Sequence, residues 1–326
     1  MTRNIDYTFD AMGSDIRLLI EPGLLPGAAP PELAAERERE FVLAFGRRLS
    51  RFLPDSELCA LNRDPRATVP ASGLLRAAVT AGLWAAQHSH GLVDPTLTGA
   101  LEAAGYDRSR ARDAPAALPD ALAKAPLRRP AAPDPASSWR RVSVDDEART
   151  ITRPPGIRLD TGGTGKGLCA DAVAYRLKGY TRYLVDCGGD IAVGGIGARL
   201  HPFEIHVEHP FAGSVGTIRL ATGGVATSGL NVRIWRDRSG GYAHHLLDPS
   251  TGQPAWTGLV AATAISPSGA LEAETRSKMA LLLGPEGART ILAQHGGVIV
   301  HDNGETEFIG PIDCHRRAAS GVVAAV

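Results

Sequence analysis

"LDTGGTGKGLCADAVAYRLKGYTRYLVDCGGDIAVGGI" (residues 159–196) contains a glycine-rich turn, a helix and two strands in direct succession. Gly162, Gly163, Gly165 and Gly167 form the turn, and Ala170, Val173, Ala174 and Leu177 then recur at helical spacing. Beyond Gly179, "RYLVDCGGDIAVGG" reads as two strands around Gly188–Gly189. The same grouping of strands recurs along the chain. "YTFDAMGSDIRLLIE" (7–21) is a strand, a turn at Gly13 and a second strand, and "RVSVDDEARTITR" (141–153) alternates around an acidic turn like a hairpin. "FEIHVEHP", "SVGTIRLAT", "GVATSG" and "LVAATAISP" add further short strands between residues 203 and 267. Helices are interspersed irregularly: "PELAAEREREFVLAFGRRLSRF" (31–52), "GLLRAAVTAGLWAAQHSHG" (73–91) and "LEAETRSKMALLLG" (271–284). Strands in runs with scattered helices favour an α+β fold with mixed sheets over a doubly wound α/β sheet.

The chain has 326 residues, enough for one large domain or two modest ones. Its 35 basic and 35 acidic side chains balance, which leaves no overall electrostatic footprint for nucleic acid or an anionic membrane. Cys59, Cys169, Cys187 and Cys314 have no paired spacing, arguing against a zinc site or a disulfide framework. No apolar run follows the early arginine of "MTRNIDYTFDAMGSD", and no stretch of about 18 apolar residues occurs, so a cytoplasmic protein without membrane insertion is expected. Residues 108–138 are rich in Ala, Pro and Arg and read as an exposed insertion with little core.

The glycine turn is neither of the familiar phosphate loops. Gly167 follows Lys166 where a P-loop needs Ser or Thr, Asp160 stands where its first glycine would, and Leu168 breaks G-x-G-x-x-G. Glycines and helix-start amides still suit an anion, and Lys166 adds charge; a tight turn with a solvated lysine is the alternative. In "YAHHLLDPSTGQP" (242–254), adjacent strand residues point to opposite faces, so only one of His244 and His245 can serve a given site. Asp248-Pro249 is a turn signature, so Asp248 could be occupied with its own loop. Ser228, His245 and Asp248 could compose a hydrolase triad on paper, although "VATSG" is no nucleophile elbow. On the helix at 271–284, Leu271, Thr275, Met279 and Leu282 should face the interior, with Glu274 and Lys278 four apart on a neighbouring face.

"AMGS", "SRFLPDSELCALN", "GLVDPTLTGAL", "LDTGGTGKGLCAD", "LVDCGGDIAVGG", "VATSG", "HHLLDPSTGQP" and "EAETRSKMALLLG" occur in that order between residues 11 and 284. Together they resemble the ApbE-like family, the FAD:protein FMN transferases. The resemblance implies a single domain over residues 1–310 with FAD in a cleft and a C-terminal tail at 311–326. It implies an enzyme that moves FMN from FAD to a threonine hydroxyl of a partner protein and releases AMP. An FAD-binding protein or an FAD pyrophosphatase without protein transfer is the alternative within the family. By the resemblance, His245 becomes the base or phosphate-positioning residue, and Met12, Phe52, Leu92, Val93, Asp94, Asp160, Gly163, Lys166, Thr227, Ser228 and Asp248 become FAD-site positions. The family's magnesium site uses a carbonyl of the glycine loop, here Gly163, with an aspartate and a threonine four residues apart. This chain places Glu274 and Lys278 there, so Lys278 is expected to supply charge that the metal otherwise supplies.

Overall fold

The computed structural model describes residues 4–24, 27–237 and 240–316. Among them, the largest sheet has eight strands in the order Ile5–Ala11, Ser14–Ile20, Tyr183–Cys187, Asp190–Gly194, Gly223–Gly229, Leu259–Ser266, Gly297–His301 and Thr306–Ile309. Every neighbouring pair is antiparallel, so the α+β class follows from the pairing itself. The glycine turns at 13 and 188–189 close the hairpins expected there.

Around the sheet lie helices α1 (Pro31–Leu49), α2 (Glu57–Arg63), α3 (Gly73–His88), α4 (Thr98–Ala103), α5 (Leu118–Lys124), α6 (Gly165–Arg176) and α7 (Ala270–Leu292). The central strands are covered on both faces, and their alternation shows how. Val185, Cys187 and Ala192 pack with Phe45, Val79 and Val173 from α1, α3 and α6. Leu184, Ile191 and Val193 point the other way, into a core with Phe203, Ile205 and Val207 of a three-stranded sheet. The strand Leu259–Ser266 is buried along its whole length.

α7 carries more burial than its sequence period suggested. Thr275, Met279 and Leu282 are buried as expected and Leu271 is half-buried, but Ala273, Glu274, Ser277, Ala280 and Leu281 are buried as well. The cause is cover from two sides, the sheet on one and α6 on another. Small side chains permit that approach: a Cβ at Gly167 of α6 would stand 2.8 Å from both Ala270 O and Glu274 Oε2. The expected stop at Gly284 is a sharp break, with φ 72° and Pro285 next, after which the helix resumes to Leu292.

Two readings need correction. The stretch 108–138 is docked rather than simply exposed: α5 forms within it, Leu118, Ala121 and Ala131 join the core, and Ala131 N donates to Leu282 O at 2.8 Å. Its Ala- and Pro-rich composition hid this, because its backbone attachments, to Leu282, Trp256, Ile234 and Ser250, leave no pattern in the side chains. Within 311–326, Cys314–Arg316 pairs with Gly213–Leu220 as a strand of the smaller sheet, while 317–326 lie outside the described residues.

Candidate active site

The glycine loop is held from beneath before α6 begins. Gly165 N donates to Thr161 O at 2.7 Å, Thr161 Oγ1 to Leu49 O at 3.2 Å, and Gly162 N to Asp160 Oδ1 at 2.6 Å. The other oxygen of Asp160 meets Arg51 Nε at 2.8 Å. The Arg51 guanidinium lies over the rings of Phe52 and Tyr106, at 4.2 and 4.6 Å. One charged side chain therefore ties the loop to an aromatic wall.

α6 and α7 complete each other at their starts. Asp171 of α6 accepts from Ala270 N at 2.7 Å and Leu271 N at 2.9 Å, capping a helix whose own N-cap residue is Gly269. In return, Glu274 of α7 accepts from Gly167 N at 2.9 Å in the first turn of α6. The second oxygen of Glu274 meets Lys278 Nζ at 2.8 Å, and the Glu274 side chain is 0% exposed. The (i, i+4) pair is thus a buried one, not a surface pair. Burial, then the charge of Asp190, push the Glu274 carboxyl up to about 7 against the two nearby lysines.

Lys166 extends from the loop to the second glycine turn, donating to Gly188 O at 3.1 Å and pairing with Asp190 Oδ2 at 2.7 Å. Burial opposes its charge, but Asp190 and Glu274 outweigh it and hold the ammonium above the ordinary lysine value. His245 is driven well below the ordinary histidine range, by burial first and then by Arg233, His244 and Lys278. Its Nδ1 lies 3.4 Å from Arg233 O. A proton on Nδ1 is donated to that carbonyl and leaves Nε2 free to accept one. His244 turns the opposite way, fully buried against Trp256.

The glycine loop, Arg51, Lys166 and His245 border one cavity of about 500 Å³, within the range of small-molecule sites, roughly 300–1,000 Å³, while Asp190, Glu274 and Lys278 stand behind its lining. Met12, Phe52, Leu92, Val93, Asp94, Asp160, Gly163, Lys166 and His245 all line it. Two of its lining side chains have buried atoms without a partner: the acceptor Asp94 Oδ2 and the donor Arg51 Nη2. Desolvation raises the Asp94 carboxyl, while Thr96 holds its other oxygen through N–H and Oγ1. Other candidates lie apart from the lining. Thr227 is exposed and bonded to Thr263 Oγ1, and Ser228 is buried against Ser277 Oγ. Asp248 accepts from Ser250 N and Ser250 Oγ, the turn its Pro-Ser-Thr-Gly sequence allowed, and from the distant Ala132 N. No Ser-His-Asp triad forms, since Ser228, His245 and Asp248 each bond elsewhere. Arg51, Tyr106, Asp190 and Arg233 were not singled out from the sequence. A lysine inside a glycine turn needs a counter-ion, and Asp190 after Gly188–Gly189 was the signal available for it; the other three come from unconnected segments.

The position that the resemblance assigns to magnesium, at Glu274 and Lys278, does not suit a dication here. Both oxygens of Glu274 are committed, an ammonium stands 2.8 Å from one of them, and no group of three or more His, Cys, Asp or Glu among the described residues could hold a metal ion.

The sequence profile of the ApbE family matches residues 12–300. A curated relative from Klebsiella pneumoniae (strain 342), named FAD:protein FMN transferase, is 29% identical over 77% of this chain and 71% of its own length. A relative of the same name from Treponema pallidum is 28% identical over 88% and 78%, and one from Escherichia coli K12 is 31% identical over 44% and 41%. Among solved structures, the apo flavinyl transferase ApbE of Pseudomonas stutzeri matches with TM-score 0.71 and 25% identity over 95% of this chain and 94% of that one. The ApbE protein of Thermotoga maritima matches with TM-score 0.74 at 23% identity, over 94% and 97%.

Proposed function

Because the chain belongs to the ApbE family, we propose that it is an FAD:protein FMN transferase, the activity named for its Klebsiella and Treponema relatives. The observation that carries the reading is that the glycine loop, Lys166 and a neutral His245 border one cavity. The FAD pyrophosphate lies against the glycine loop at Gly163, with Lys166 beside it; the amides of Gly162 and Gly165 are held by Asp160 and Thr161 and shape the loop instead. The rings of FAD use the apolar and aromatic wall of Phe52, Leu92 and Val93, where Asp94 Oδ2 and Arg51 Nη2 gain the partners they lack.

The hydroxyl of an acceptor threonine attacks the flavin-side phosphorus. Its proton passes to His245 Nε2, the bond from that phosphorus to the bridging oxygen breaks, and AMP leaves with that oxygen. His245 starts unprotonated because it is buried among cations, and the negative charge of the pyrophosphate raises its basicity when FAD is bound. No step is routed through magnesium, because Glu274 and Lys278 satisfy each other; Lys278 acts as the counter-ion that keeps Glu274 in place as a cap on α6. No described helix is long and apolar enough to cross a membrane.

Incubation of the protein with FAD and a threonine-bearing acceptor, followed by intact mass, tests the reading. The acceptor should gain one FMN for each AMP released. FMN and AMP appearing together without a mass gain would identify a pyrophosphatase instead, with water in place of the threonine.

A further inference from the structure

We propose that Arg233 is the cation that grips the pyrophosphate of FAD, a role that rests on the transferase reading and goes to a residue outside the glycine loop. The charges around the loop divide unevenly. Asp190, 2% exposed, is matched by Lys166 at 2.7 Å, and Glu274, 0% exposed, by Lys278 at 2.8 Å. With both carboxylates ionised, each pair sums to zero. Arg233 lines the same cavity, and its charge acts on both Lys166 and His245. Its guanidinium donates only to neutral acceptors, Nη1 to Tyr106 Oη at 3.1 Å and Nη2 to Gly13 O at 3.5 Å. Among the described residues no carboxylate lies within ion-pair distance of it.

Arg233 is therefore the cation of this group that no carboxylate matches. A dication beside Glu274 would leave one positive charge over, a lysine leaves none, and Arg233 restores the difference. Its planar fork suits two phosphate oxygens, as an ammonium does not. Through its carbonyl, 3.4 Å from His245 Nδ1, the same residue fixes the ring that takes the proton. Arg47 also lines the cavity, but it is exposed in the last turn of α1, where the helix C-terminus already favours a cation.

Binding of FAD and of riboflavin, which has no phosphate, is measured by flavin fluorescence for the wild type, Arg233→Met and Arg233→Lys. The measurements are made at about pH 8, where Glu274 is ionised. Arg233→Met should weaken FAD by about tenfold to a hundredfold while riboflavin stays within about twofold, and Arg233→Lys should keep part of the loss from appearing. Added guanidinium should restore some transfer to Arg233→Met and none to the wild type. Equal losses for FAD and riboflavin would make Arg233 a prop for Tyr106 and overturn the proposal, as would unchanged FAD affinity in Arg233→Met. A wild type that binds no FAD would instead sink the transferase reading itself.

Discussion

Two lysine–carboxylate pairs of the same chemistry stand near one another, and what surrounds them gives them different work. Lys166–Asp190 opens onto the cavity: the lysine is 23% exposed and also holds the Gly188 carbonyl across the second glycine turn. Lys278–Glu274 is closed, with no exposure at the carboxylate and its second oxygen used on an α6 amide. The open pair holds a cation at the wall of the cavity. The closed pair removes a candidate metal ligand from solution chemistry and turns it into a fastening between helices. Charge identity alone does not separate them; desolvation and the last free oxygen do.

The difference can be broken in four ways. On the open side, His245→Ala should lower transfer by about 10²- to 10⁴-fold with little change in melting temperature. An unchanged rate there, with loss of rate in a folded Lys278→Met protein, would reverse the two roles. On the closed side, Lys278→Met strands a buried carboxylate and should destabilise by about 3–5 kcal/mol in urea unfolding, with the double variant Lys278→Met/Glu274→Gln recovering most of it. No recovery would mean that the pair's charge is not what matters.

The third way is pH. Burial lowers His244 from 6.5 to about 3, so between those values the unfolded chain binds the extra proton and acidification destabilises. Burial raises Glu274 from 4.5 to about 7, so across that window the folded chain binds the extra proton and acidification stabilises. Each slope is at most about 1.4 kcal/mol per pH unit. His244→Gln should flatten the acid loss of stability, and Glu274→Gln should steepen it. The smallest effect is that of chelation: transfer with a strong chelator should stay within about twofold of transfer without it, since Lys278 and the Gly167 amide already take both oxygens of Glu274. Full dependence on added magnesium would show that the closed pair opens.

Much of this was legible in the sequence where local rules act. The hairpins at Gly13 and Gly188–Gly189, the glycine turn feeding α6, and the stop at Gly284 all announce themselves through backbone chemistry. The opposition of His244 and His245 follows from strand geometry alone. The ion pair at 274 and 278 was readable from spacing, but its burial was not, because that depends on α6 lying across α7. Tyr106 and Arg233 meet across 127 positions, and no period or motif connects them. Asp248 shows the opposite outcome: its turn chemistry predicted its bonds to Ser250, though not the one from Ala132 N.

The exchange of caps between Asp171 and Glu274 has a consequence for how the chain assembles. The bonds span 99 and 107 residues, so neither helix start is finished until two distant segments have met. The first turns of α6 and α7 are therefore completed together, when the two segments dock. Hydrogen exchange at Gly167 and Ala270 should report one shared opening event, protected or exposed together.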